Sequence, residues 1–134
     1  MKKILILIMA LGAYFVSAGQ VWTQFDFQVD SPEAQAKIIK QELSKVIGQY
    51  AVHYLESAYT KISSGSDRRE SFHGLSEGYG FILSLQFTKN PTTSEPYYNI
   101  DEVNAMLTEM DDFWTVTPAA LKSMASNIET KFGF

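Results

Sequence analysis

His73 and Glu77 stand four residues apart in FHGLSEGYGFILSLQF, residues 72–87. On a helix they face the same way and can interact. A neutral imidazole and a carboxylate so placed can share a cation. Glu70 lies three residues before His73, which is the Glu-x-x-His spacing of di-metal sites in helical bundles. Those sites also need a second such motif and two further carboxylates. The other histidine sits in His53-Tyr54-Leu55-Glu56, in reversed order. Two chemical readings stand beside a purely structural one. In the first, Glu70, His73 and Glu77 bind a divalent metal. In the second, His73, Glu77 and Ser84, which share one narrow stripe, contact a ligand without any cofactor. In the structural reading, His73 and Glu77 bind each other or the backbone of a neighbouring helix.

Catalytic alternatives are thin. The chain has no cysteine, so disulfides, thiolate metal sites and cysteine nucleophiles are excluded. No nucleophile motif, phosphate-binding glycine loop or zinc-protease pattern occurs. Asp111-Asp112 lacks the further oxygen ligands of a calcium loop. Asp67-Arg68-Arg69-Glu70 is short and mixed in sign, which predicts a wet helix start.

The elements that must hold these residues are helical. Ser31-Pro32-Glu33 opens a first helix by cap-then-proline logic. Apolar pairs follow to Ile62, spaced by about four residues, so the stripe winds around the helix and the helix must change partners or break. Gly48 is the expected break. SSGSD, residues 63–67, is a turn, and a second helix is expected over 67–87. At about 100° per residue that helix is apolar on two sides, Phe72, Leu75, Tyr79 and Leu83 against Gly74, Gly78, Phe81 and Leu85. It is therefore expected to be buried between neighbours, enclosing the His73, Glu77, Gly80 and Ser84 stripe. Its three glycines cost about 3 kcal/mol relative to alanine, which close packing of another helix at Gly74 and Gly78 would offset.

TKNPTTSEPYYN then forms a polar loop. Asn99 and Glu102 make a capping box for a helix carrying Ile100, Val103, Met106, Leu107 and Met110. Phe113 and Trp114 in the next connector are expected to plug the core. Thr117-Pro118 starts a last helix with the stripe Leu121, Met124, Ala125, Ile128 and Phe132. Four helices joined by such loops predict an all-α fold, a small bundle.

The start of the chain predicts its destination. Lys2 and Lys3 precede the apolar run Ile4 to Val16, and small residues end at Ala18, the layout of a secretory signal peptide over 1–18. The run is shorter than the roughly 20 residues of a membrane span. Cleavage after Ala18 leaves 116 residues and moves the formal charge from −4 to −6. An acidic chain without a basic cluster in its sequence fits neither nucleic acid nor an anionic membrane surface. The mature chain, 19–134, is expected to be one domain with 19–30 as an extended arm, secreted or periplasmic. No membrane span remains after cleavage.

The His-x-x-Ser-Glu-Gly run at 73–78 and the Phe-Trp-x-Val-Thr segment at 113–117 resemble an uncharacterised family of bacterial envelope proteins, mostly lipoproteins, designated domain of unknown function 4856. The resemblance covers about residues 67–134. It implies a helical extracytoplasmic domain and no known activity. A looser similarity runs to imelysin, a helical envelope group tied to iron uptake or peptidase activity and marked by Gly-x-His-x-x-Glu. Here Ser71 replaces the glycine and Glu77 falls four residues after His73. The expected function is therefore a non-enzymatic domain that binds a protein or small ligand in the cell envelope through His73, Glu77 and Ser84, with no cofactor. Self-association is a further expectation. The alternative is an imelysin-like iron or zinc protein, hydrolytic by analogy, using Glu70, His73 and Glu77.

Overall fold

α1 runs without interruption from Pro32 to Ser63 in a computed structural model that describes residues 31–134. The expected signal segment 1–18 and arm 19–30 lie outside the described residues. After α1 come α2 (Phe72–Ser84), α3 (Ile100–Glu109) and α4 (Pro118–Phe132), with 3-10 turns at Arg68–Ser71 and Leu85–Phe87. Among the described residues there are four α-helices and no strand, so the chain is the small all-α bundle its periodicity predicts. The second helix is shorter than expected. Asp67 accepts the Arg69 backbone N–H at 2.9 Å and opens a 3-10 turn, so the α-helix begins only at Phe72.

α1 is the spine. It packs against α2 and α4, while α3 packs on α2. Its buried residues, Ser44, Gly48, Ala51, Val52, Leu55 and Ala58, all lie beyond its first third. Gly48 does not break the helix. A Cβ there would meet the Phe132 ring at 3.0 Å, so the glycine makes room for the last aromatic of α4, which stacks on Tyr97 with centroids 3.8 Å apart. Gly74 and Gly78 face α1. A Cβ at either would come within 3.5 Å of Tyr54, an ordinary contact for a methyl group but no space for anything longer. Gly80 has nothing within 4 Å of its missing Cβ.

These differences make the glycines separable. Gly80→Ala should stabilise by about 1 kcal/mol through helix propensity alone. Gly48→Ala gains the same propensity but pushes Phe132 off Tyr97 and should be destabilising on balance. Urea midpoints of the two variants measure this, and a stabilised Gly48→Ala would mean the ring does not need the gap.

The core is one cluster in which Leu55, Leu75, Ile82, Leu85, Val103, Met110, Leu121 and Ile128 are fully buried. No buried side-chain polar atom among the described residues lacks a hydrogen-bond partner. The connection from 88 to 99 contributes more than a polar loop would, since Tyr97 and Tyr98 are both buried. Thr88 Oγ1 accepts the Tyr97 N–H at 3.1 Å, Ser44 Oγ accepts the Lys89 N–H at 2.7 Å, and the Tyr98 hydroxyl donates to Asn127 Oδ1 at 2.5 Å. Burial, with Glu102 adding to it, pushes the Tyr98 phenol far above its ordinary range. The α3–α4 connector also departs from expectation. Phe113 packs partly against the core, but Trp114 is 60% exposed and rests edge-on against Phe72 at 4.8 Å. The connector is held instead by Arg68, whose guanidinium donates to the Phe113 carbonyl at 2.8 Å and to the Val116 carbonyl.

The caps read from the sequence at Asn99 and Thr117 are formed. Glu102 N–H donates to Asn99 Oδ1 and Asn99 N–H to Glu102 Oε2, each at 2.9 Å. The Ala120 N–H donates to Thr117 Oγ1 at 3.1 Å. Lys131 Nζ lies 2.5 Å from Glu102 Oε1, and this bond, followed by the Asn99 N–H, holds the Glu102 carboxyl below its ordinary value of 4.5. A depressed folded-state value means that the unfolded chain takes up the proton first. The stabilisation is thus complete above pH 4.5 and falls away as the pH drops below it. Glu102→Gln should therefore differ from wild type in urea midpoint near neutrality and converge on it below pH 4.5. A difference constant with pH would contradict this.

Candidate functional site

With the interior satisfied, any site lies on the surface. The largest unexplained feature is the outer face of α1. Ile39, Leu43, Val46, Tyr50 and His53 recur at alternating steps of four and three, the spacing that keeps side chains on one seam facing another helix. The four apolar members are 43–57% exposed. They run from Ile39, in the first third of α1, through the middle of the helix, and stay exposed along that length.

The seam leads into an aromatic ladder shared with α2. Phe81 stacks on Tyr50 with centroids 5.3 Å apart and on Tyr54 at 5.6 Å, each pair 17° from parallel. Tyr54 also meets both histidines edge to face, His53 at 5.2 Å and His73 at 6.3 Å. Gly78, where an added Cβ would lie 3.5 Å from the Tyr54 Cβ, brings α2 close enough for this. Aromatic pairs of this geometry add roughly 0.5–1.5 kcal/mol each beyond their burial, so the ladder is a rigid platform.

The polar stripe borders this platform and is not enclosed. His73 is exposed and Glu77 half-buried, which corrects the expectation of an imidazole and an acid confined inside the bundle. The physical reason is that α2 buries Gly74, Leu75, Gly78 and Ile82 and turns the stripe outward. The Glu77 carboxylate has no hydrogen bond or ion pair among the described residues. Ser84 is half-buried, and its hydroxyl donates to the Gly80 carbonyl at 2.8 Å, so it serves its own helix. Glu70 is exposed at the 3-10 turn, and its carbonyl accepts from Lys61 Nζ at 3.0 Å. Among the described residues no group of three or more histidine, aspartate or glutamate side chains is placed to hold a metal ion. Glu70, His73 and Glu77 are not brought together as a ligand set. No described helix is long and apolar enough to cross a membrane.

Sequence reasoning missed that both histidines meet the Tyr54 ring, because His53 and His73 are on different helices. The Tyr50-Tyr54 spacing of four was the available signal for the ladder. Its partner Phe81 could be identified only once the α1–α2 register was known.

The family model described as a domain of unknown function (DUF4856) matches residues 15–134, well beyond the 67–134 over which the motifs alone carry the resemblance. No curated protein matches the chain, and no solved structure matches it either. The chain belongs to the DUF4856 family.

Proposed function

We propose that this DUF4856 member is a non-enzymatic binding domain, secreted or periplasmic, that works through the α1–α2 face, and that the occupant of its seam is a second copy of the chain. The observation that carries this reading is the exposed apolar seam at coiled-coil spacing. A helix with that spacing is complementary to another of the same kind, and each copy supplies one.

The seam from Ile39 to His53 is about 22 Å long at 1.5 Å per residue. Specific interfaces bury roughly 1,200–2,000 Å², and a single seam of this length with the neighbouring flank of α2 belongs at the small end of that class. The expected dimer is therefore weak and reversible. In that assembly the Tyr54 platform, with His53, His73 and Glu77 at its rim, remains beside the interface for a ligand.

The chain has no cysteine, so a single introduced thiol reports contact cleanly. Val46→Cys should be joined to its own kind by a short bismaleimide much faster than Ser123→Cys, placed on the exposed side of α4. Equal and slow joining of both variants would remove the second copy as the occupant.

A further inference from the structure

Most cations of the described residues have an acceptor. Lys45 pairs with Glu42, Arg69 with Asp67, Lys122 with Glu56 and Lys131 with Glu102. Lys61 donates to the Glu70 carbonyl and Arg68 to two carbonyls of the α3–α4 connector. Only the ammonium groups of Lys37, Lys40 and Lys89 have no hydrogen bond or ion pair among the described residues. All three line one cavity of about 380 Å³ between the first turns of α1 and the 88–99 connection.

The gathering is built by the fold. Lys37 and Lys40 are neighbours on α1 at the i, i+3 spacing. Lys89 is brought to them by its backbone N–H, which donates to Ser44 Oγ one turn beyond Lys40. Asn90, also in the wall, uses its Oδ1 to accept the Thr92 and Thr93 N–H groups. Its NH₂ group has no acceptor among the described residues. Glu33 is the one acidic residue in the wall, so three lysines and one glutamate line the cavity, an excess of two positive charges around it. In a chain whose formal charge is −4, this is a local reversal of sign, and like charges around a concavity focus a field that draws anions.

We propose that this cavity binds a small phosphorylated compound, its dianionic phosphate held among Lys37, Lys40 and Lys89. Lysine ammoniums are point charges suited to a tetrahedral anion, whereas planar carboxylates are better matched by arginine forks. The two arginines of the chain, Arg68 and Arg69, are engaged elsewhere. A phosphate monoester carries close to two negative charges at neutral pH, which balances the excess. The volume is at the small end of ligand cavities, which span roughly 300–1,000 Å³. The Asn90 amide and the Ser94 hydroxyl in the wall suit hydroxyl groups on the body of the ligand. This site is separate from the seam and does not depend on it.

Titration calorimetry of the purified protein with inorganic phosphate and glycerol 3-phosphate, with glycerol as the uncharged control, tests the assignment. Glycerol 3-phosphate should bind saturably at one site and glycerol should not. The triple variant K37Q/K40Q/K89Q should weaken binding about 10-fold or more, K89Q alone should weaken it measurably, and K45Q should leave it unchanged. The three lysines are exposed, so circular dichroism of the variants should match wild type. Vesicles of phosphatidylglycerol distinguish a lipid headgroup from a soluble ester. Vesicle binding that glycerol 3-phosphate competes away supports the cavity and assigns the headgroup as its source. Absence of saturable binding by both phosphate compounds, or binding to esters or vesicles that survives the triple variant, overturns the proposal.

Discussion

Arg68→Ala is expected to destabilise the domain by about 3 kcal/mol, since hydrogen bonds made by a charged group contribute roughly 1.5–3 kcal/mol each and two are lost. The guanidinium reaches from the turn before α2 to the carbonyls of Phe113 and Val116, 45 and 48 residues away in sequence. It ties the α3–α4 connector to the α1–α2 side of the bundle. Removing it leaves those carbonyls without the donor and lets the connector move, with Phe113 against Phe72 at 5.9 Å and Val116 in the core. Arg68→Lys should recover only part of the loss, because a single ammonium cannot reproduce the fork. Urea unfolding of the three proteins measures this. A midpoint unchanged by Arg68→Ala would show that the connector holds itself.

Much of the fold was legible in the residues. The caps at Asn99 and Thr117, with Pro118 after the second, fixed where α3 and α4 begin, and their apolar stripes correspond to buried faces except at Ile100, which is 49% exposed. Local chemistry carries that information. What failed was tertiary. Gly48 read as a break because helix propensity is a local quantity, and the Phe132 ring that fills its place comes from 84 residues later. Arg68 read as a solvated charge because its two acceptors are backbone carbonyls, which no sequence pattern marks. Trp114 read as a core plug from its size alone.

The candidate site was legible in its residues and misjudged in its surroundings. The stripe of His73, Glu77 and Ser84 was identified by helical spacing, but the same spacing cannot say which side of α2 a neighbour covers. A basic cluster was absent from the sequence because Lys89 joins Lys37 and Lys40 only through the Ser44 anchor. The winding of the α1 pairs required a change of partner. On the outer side of the helix Ile39, Leu43, Val46 and Tyr50 remain 43–57% exposed, and the seam is the result.

Leu43→Glu is expected to abolish self-association without unfolding the monomer. Leu43 is 57% exposed, and substitutions at such positions away from special features usually change stability by about 0.5 kcal/mol or less. In a dimer the change acts twice. Each copy forfeits leucine burial of roughly 1.5–3 kcal/mol and sets a carboxylate in an apolar seam beside its symmetry mate. The sum is a loss of about 100-fold or more in dimer affinity. Sedimentation equilibrium across a concentration series, with wild type and Leu43→Glu side by side, reads this directly. The wild-type mass should rise from monomer towards dimer while the variant stays monomeric with the same urea midpoint. A wild type that remains monomeric throughout, or a variant that associates equally well, would contradict the assignment of the α1 face as the surface through which this protein works.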